Sequence, residues 1–448
     1  MDTRWWVLVF CCIAVSLPNF FELQLSTLVQ RLTGTASACT NGTESCLQFD
    51  LMQFNIIVGV YPWSRAVAAI LAGILVDQFG SKYVLWGFAA FLFLGPLIFT
   101  LGAYAMTTRT AYALMILGRM IFGFGTGGYE VLLHRVKTGW FLYKELALAF
   151  SIEILFDRLG TASMFLVLGG LVEVINMRGV LWFTFGLNLI GVAALLLLAH
   201  LDRVRTVGLF ETESAKRPWW TIWTALGQFD TLYWLLVITL FLYDGTVQTF
   251  VANAPNFFAS VYGFSEGSAS YIVGIIYDVC LLSPLIGWLA DRYGHRDFGI
   301  VLSTILVFVA FLLQLTLYPA IPGASITFLI GSGYTAFAPL IWSSIPLLVL
   351  PQNVGLALGT GKFFEYAGSG SVTATAGAIL NMTENGDQSA IPWKEFLICM
   401  TVLASVCVVL WSALLYFNKV TCGRLTLTQK QRNAHNVIRE VTPLNLSF

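Results

Sequence analysis

Apolar runs recur along this chain from end to end, separated by short polar stretches. Each approaches the ~20 residues that carry a helix across ~30 Å of hydrocarbon, and about twelve such segments can be marked. They lie near 5–29, 53–77, 84–105, 112–136, 146–172 and 179–201, and near 231–258, 268–290, 298–318, 325–349, 354–380 and 394–417. A polar stretch, DRVRTVGLFETESAKRPWW, separates the two sets, and a polar tail follows the last. The expected fold is all-α and integral to the membrane. It has a six-helix bundle over 1–202, a linker over 203–229, a second six-helix bundle over 230–417 and a tail over 418–448. A transmembrane barrel would show shorter, alternating segments instead. The N-terminal MDTRWWVLVFCCIAVSL has the makings of a signal peptide. Its apolar character continues through PNFFELQLSTLVQRL, however, and it reads as the first helix.

Composition agrees with a lipid environment. The chain is 57% hydrophobic and only 11% charged, where a soluble domain carries about 25% charged residues. The net charge of zero gives no reason to expect nucleic acid as a partner. Lys and Arg in short loops set the orientation. Lys82, Lys137, Lys144, Arg203, Arg292 and Arg296 collect on one side with the tail's basic residues, whereas Arg31, Arg109, Arg178 and Lys394 are scattered on the other. This pattern predicts that both termini are cytosolic. It places two N-glycosylation sequons, at Asn41 and Asn381, in loops outside the cytosol. Cys39 and Cys46 flank the first, and on that oxidising side they fit a disulfide, the alternative being two free thiols.

Charges inside the apolar runs are the candidate chemistry, because an ionisable side chain at membrane depth is costly and rarely idle. The run LAFSIEILFDRLGTASMFLVLGG holds Glu153, Asp157 and Arg158. Glu153 and Asp157 fall one turn apart on a helix, with Arg158 about 100° round from Asp157. Arg158 can bind a carboxylate as a two-pronged fork, or can simply neutralise Asp157. Glu22 and Arg65 lie on the first and second helices, either open to a solute or closed on each other. Glu130, on the fourth, can face a solute or pair with His134 or Arg135. In the second half Asp244, Asp278, Lys362 and Glu365 are embedded, and the spacing of Lys362 and Glu365 permits a local pair. The sequence contains no Ser/His/Asp set, no zinc-spaced Cys/His cluster and no phosphate-binding loop. Neither catalysis nor a cofactor or metal is expected.

One segment repeats. GILVDQFGSKYVL follows the second helix and GWLADRYGHRDFG follows the eighth. Gly73, Asp77, Gly80 and Lys82, and again Gly287, Asp291, Gly294 and Arg296, resemble the signature loop of the major facilitator superfamily, G-x-x-x-D-x-x-G-x-[KR]. In physical terms the first Gly permits close helix approach and the Asp can sit at a neighbouring helix N-terminus. Arg119, Gly123 and Gly125 of GRMIFGFGTGG resemble the superfamily's fourth-helix motif. Two similar halves suit a transporter that rocks about a central site.

Within the superfamily the chain resembles the lysosomal dipeptide uniporters. The likeness rests on YPWSRAVAAILAGILVD, GWFLYKELALAFSIEILFDRLGTA, LLLAHLDRV, FASVYGFSEGSAS and PLIWSSIPLLVLPQNVGLALG. The resemblance implies that Arg158 takes a dipeptide's carboxylate. In that branch the ammonium goes to a fourth-helix glutamate. Here Gly127 holds that place, and Glu130 is the nearest acid, three residues on. Glu22 falls where the branch often has an acid. The implied function is alternating-access transport of a small zwitterionic or anionic solute, dipeptides first. The alternatives are a proton-coupled amino-acid or organic-anion carrier, and a non-transporting sensor or assembly partner. The implied partners are the small-molecule substrate, the lipid bilayer and a glycosylated accessory subunit. The implied location is lysosomal or another endomembrane, the plasma membrane being the alternative.

Overall fold

The computed structural model describes residues 3–32, 47–49, 51–142, 144–206, 221–264, 266–317, 320–381, 391–420, 425–428 and 431. The proposed Cys39–Cys46 bridge, Asn41, most of the linker and most of the tail lie outside these residues. So does the rest of the second sequon after Asn381.

The described chain is helical throughout. Its first half comprises α1 (Thr3–Ser16), α2 (Pro18–Leu32), α3 (Leu51–Phe79), α4 (Ser81–Gly102), α5 (Thr108–Phe141) and α6 (Leu146–Thr206). A short α7 (Thr221–Gly227) precedes α8 (Thr231–Tyr262), α9 (Glu266–Asp278), α10 (Ser283–Tyr293) and α11 (Arg296–Leu317). Then follow α12 (Gly323–Leu348), α13 (Val354–Asn381) and α14 (Ile391–Val420). Local chemistry explains the breaks. Pro18 opens α2, where the missing N–H costs nothing. Asn176 interrupts α6 with φ 61° and ψ 171°. A turn of 3-10 helix, Val279–Leu282, joins α9 to α10.

Nine helical stretches among the described residues are long and apolar enough to cross a membrane. The long stretches outside that set are α5, the first part of α6 and α13, and these carry Glu130, Glu153, Asp157, Arg158, Lys362 and Glu365.

The chain packs as two compact units, one of residues 1–136, 155–227 and 351–370, the other of 137–154, 228–350 and 371–448. Each unit thus includes a piece from the opposite sequence half.

Small residues set the packing within each unit, as expected where lipid leaves close van der Waals approach to drive association. In the first, a Cβ on Gly118 would lie 2.5 Å from the Phe99 nitrogen, and one on Gly123 would lie 2.9 Å from the Tyr61 carbonyl oxygen. Phe21, Phe99 and Phe122 fill the space between with edge-on contacts at 5.0 and 5.6 Å. In the second unit, Tyr243 stacks on Phe337 at 3.7 Å.

The two signature loops do the same work, one in each unit. Gly80 (φ 75°) and Gly294 (φ 73°) occupy matching left-handed turns that a Cβ would strain. In the first unit the Asp77 carboxylate accepts the backbone N–H groups of Gly355 (3.0 Å) and Leu356 (2.7 Å), at the start of α13. In the second, Asp291 accepts the N–H of Leu148 (3.0 Å), at the start of α6. Each aspartate satisfies orphan donors and sits at the positive end of a helix dipole. The motif's first glycine makes this reach available. A Cβ on Gly73 would meet the Gly355 carbonyl at 2.5 Å, and one on Gly287 the Ala147 carbonyl at 2.5 Å.

The basic partners differ. Asp291 also accepts from its own loop's Arg296 at 2.7 Å, whereas Asp77 lies 3.8 Å from Arg135 on α5. This asymmetry yields a prediction. Asp77→Asn should lose about 1–2 kcal/mol of helix capping. Asp291→Asn should lose more, ~3–5 kcal/mol, because it also strips the carboxylate from a buried arginine. Thermal unfolding in detergent should rank Asp291→Asn below Asp77→Asn, and adding Arg296→Met should recover part of the loss. Equal midpoints for the two single variants would contradict the asymmetry.

Candidate functional site

The first unit gathers five charged side chains in one place. Arg65 lies on α3, one turn beyond Tyr61. Its Nη1 donates to Glu22 Oε1 at 3.0 Å. Its Nη2 donates to Glu130 and to the Tyr366 hydroxyl, the latter at 3.1 Å. The Tyr366 hydroxyl in turn donates to the other oxygen of Glu130. Tyr61 donates to Glu22 Oε2 at 2.6 Å. Lys362 Nζ lies 3.4 Å from Glu130 and 2.6 Å from Glu365. The Arg65 guanidinium also lies 5.1 Å from the Tyr61 ring centre and 4.4 Å from that of Tyr366, within cation–π range.

Four helices supply these groups, and each is placed for a local reason. Glu22 sits four residues into α2, just past the break at Pro18. Gly127 of α5 abuts the backbone of Arg65, where a Cβ would fall 2.6 Å from the Arg65 Cα. No side chain fits at 127, so an acid on this face of α5 has to stand elsewhere. Glu130, about one turn on, is the residue that reaches the Arg65 side chain.

Two pairings that the sequence left open therefore close. Glu22 meets Arg65, and Lys362 meets Glu365. Glu130 does not pair with His134 or Arg135. It is shared by Arg65, Tyr366 and Lys362, while Arg135 turns towards Asp77.

The three charges of the α6 run part company. Arg158 and Asp157 belong to the first unit, 3.6 Å apart, and Asn19 donates to Asp157 Oδ1 at 2.7 Å. Glu153 belongs to the second, where it is buried against Lys137, whose ammonium lies 4.2 Å from the Phe150 ring centre. Asp244 is buried on α8, and Asp278 is exposed at the end of α9. Among the described residues no cluster of ligating side chains is arranged for a metal ion.

As site residues, sequence reasoning passed over Tyr61, Tyr366 and Asn19, and it placed Lys137 among the cytosolic loop cations, whereas Lys137 lies inside α5, fully buried against Glu153. Two of these carried a signal: Tyr61 stands four residues before Arg65, and Tyr366 four residues after Lys362. That spacing puts each hydroxyl on the face of a charge already singled out. Asn19 and Lys137 had none beyond their polarity.

The described residues thus form a helical fold with apolar spans, duplicated capping loops and a part-buried mixed-charge cluster. The sequence profile of the Major Facilitator Superfamily matches residues 5–373, and the chain belongs to that superfamily. It is similar to the lysosomal dipeptide transporter MFSD1 of Homo sapiens, 26% identical over 399 residues that cover 86% of this chain and 82% of that one. The Bos taurus counterpart is 25% identical over 407 residues, covering 88% and 84%. Among solved structures, FucP in the outward conformation matches with a TM-score of 0.69 at 15% identity, covering 91% of this chain and 98% of that one. A bacterial homologue of the iron transporter ferroportin matches with a TM-score of 0.71 at 10% identity, covering 92% and 99%. These likenesses establish the fold.

The cluster makes a stability prediction. Arg65 bridges two carboxylates and a hydroxyl with a planar fork that an ammonium cannot copy. Arg65→Lys should therefore cost ~2–4 kcal/mol. Glu130→Gln should cost less, because Arg65 keeps Glu22 and Lys362 keeps Glu365. Melting curves of the two purified variants compare them directly, and a lower midpoint for Glu130→Gln would contradict the shared-bridge reading.

Proposed function

We propose that the protein is an alternating-access transporter of small zwitterionic solutes, with dipeptides as the leading class. The observation that carries the reading is the cluster of Arg65, Lys362, Glu22, Glu130 and Glu365 on four helices. This cluster and the separate Arg158–Asp157 pair of the same unit can each release an internal partner, one for each end of a zwitterion. An ammonium displaces Lys362 or Arg65 from Glu130, or Arg65 from Glu22. A carboxylate displaces Asp157 from Arg158. In the first exchange Lys362 keeps Glu365 and Arg65 keeps one of its two carboxylates, and in the second the displaced Asp157, which is partly exposed, keeps the Asn19 amide. Asp244, Asp278 and Glu153, in the second unit, are candidates of second rank. Membership in a transporter superfamily supports the reading, and so do relatives named as lysosomal dipeptide transporters. The same relatives support a lysosomal or other endomembrane location.

Ligands that bind the native state raise its apparent stability by mass action, by about 2.7 kcal/mol at a hundred times Kd. The test is thermal stabilisation of the purified chain and of Arg158→Ala by dipeptides, carboxyl-blocked dipeptides, free amino acids, sugars and dicarboxylates. Dipeptides should stabilise the native chain, carboxyl blocking should abolish the effect, and Arg158→Ala should be blind to them. A shift produced by sugars or free amino acids alone would remove dipeptides from the reading.

A further inference from the structure

Arg119 stands beside the cluster but is bonded unlike the other cations there. It lies on α5 and is only 4% exposed. Its Nη2 donates to the main-chain oxygen of Glu22 at 2.9 Å, and its guanidinium lies 4.2 Å from the Tyr61 ring centre and 5.9 Å from that of Phe122. Its Nε and Nη1 have no hydrogen-bond partner. Among the described residues no carboxylate comes within ion-pair distance of it. The nearest candidate, the Glu22 carboxylate, is turned towards Arg65 and Tyr61. Arg65, Lys362, Arg158 and Arg296 each face a carboxylate. A guanidinium buried without a counter-ion is unfavourable by several kcal/mol, and unsatisfied donors of this kind call for an anion.

We propose that Arg119 is an anion subsite that receives a carboxylate of the transported solute, separate from the one opposed to Arg158. A solute with two carboxylates, such as an acidic dipeptide, is then preferred over a neutral one. The identity of the solute rests on the dipeptide reading, while the anion subsite rests on Arg119 alone. The geometry suits the role. Guanidinium presents paired N–H groups that match a carboxylate, and the face on Tyr61 holds the plane, so a carboxylate would meet Nε and Nη1, which are buried and unpaired.

The test uses the full-length chain in chloride-free buffer, with Ala-Ala, Ala-Glu, glutarate and chloride as probes, and with Arg119→Gln and Arg119→Lys as variants. The native chain should bind Ala-Glu at least tenfold more tightly than Ala-Ala. Arg119→Gln should bring Ala-Glu down to the Ala-Ala level and leave Ala-Ala within twofold. Arg119→Lys, which keeps the charge but not the fork, should lose most of the preference. Without ligand, Arg119→Gln should melt at or above the native chain, because it removes an uncompensated charge; an arginine with a purely structural role would melt lower when removed. The proposal is overturned if the native chain shows no preference for Ala-Glu, if Arg119→Gln keeps the preference, or if chloride alone stabilises as much as Ala-Glu. If neither dipeptide binds, the dipeptide reading has failed and glutarate decides the subsite. Stabilisation by glutarate that Arg119→Gln abolishes upholds it, and no response to glutarate overturns it.

Discussion

A charge placed at membrane depth has to be compensated by another group, and that constraint organises this molecule. Lipid offers no water to solvate a carboxylate or a guanidinium. Several of these ions therefore tie their helices to neighbours. Arg65 links α2, α3, α5 and α13 through Glu22, Glu130 and Tyr366. Asp77 and Asp291 meet the same demand differently, with backbone N–H groups and a helix dipole as the positive partner. The glycines matter because they let backbones approach closely enough for these bonds to form.

The demand also bears on where α5 carries its acid. Gly127 packs flush on the Arg65 backbone, so the acid stands about one turn further along, at Glu130. There it neutralises Arg65 and Lys362 together with the Tyr366 hydroxyl. Arg119, by contrast, has its charge on the Tyr61 ring and lacks an acid of its own. Among the described residues, the cluster ions hold one another while Arg119 faces no carboxylate, which differs from a network closed throughout.

Much of this was legible in the sequence. The apolar runs located the helices, because the bilayer leaves little choice of backbone structure. The repeated G-x-x-x-D-x-x-G-x-[KR] located both capping loops, and the left-handed turns at Gly80 and Gly294 follow from its glycines. The Glu22–Arg65 and Lys362–Glu365 pairs were legible from charge at membrane depth and helical spacing. What was not legible needed three dimensions. Periodicity places Glu153, Asp157 and Arg158 on one helix but does not reveal that the compact units divide them, Glu153 going to Lys137. The sharing of Glu130 by donors from α3 and α13 joins residues 65 and 236 positions away, and no local pattern encodes it.

The central claim is that the mixed-charge cluster is the place where a zwitterion exchanges with internal partners. Counterflow of a radiolabelled dipeptide into proteoliposomes, comparing the native chain with Glu130→Gln, tests it most directly. The account predicts saturable exchange by the native chain and its loss in the variant, with the variant still folded and inserted. Exchange at the native rate in Glu130→Gln would show that the cluster only holds the helices together.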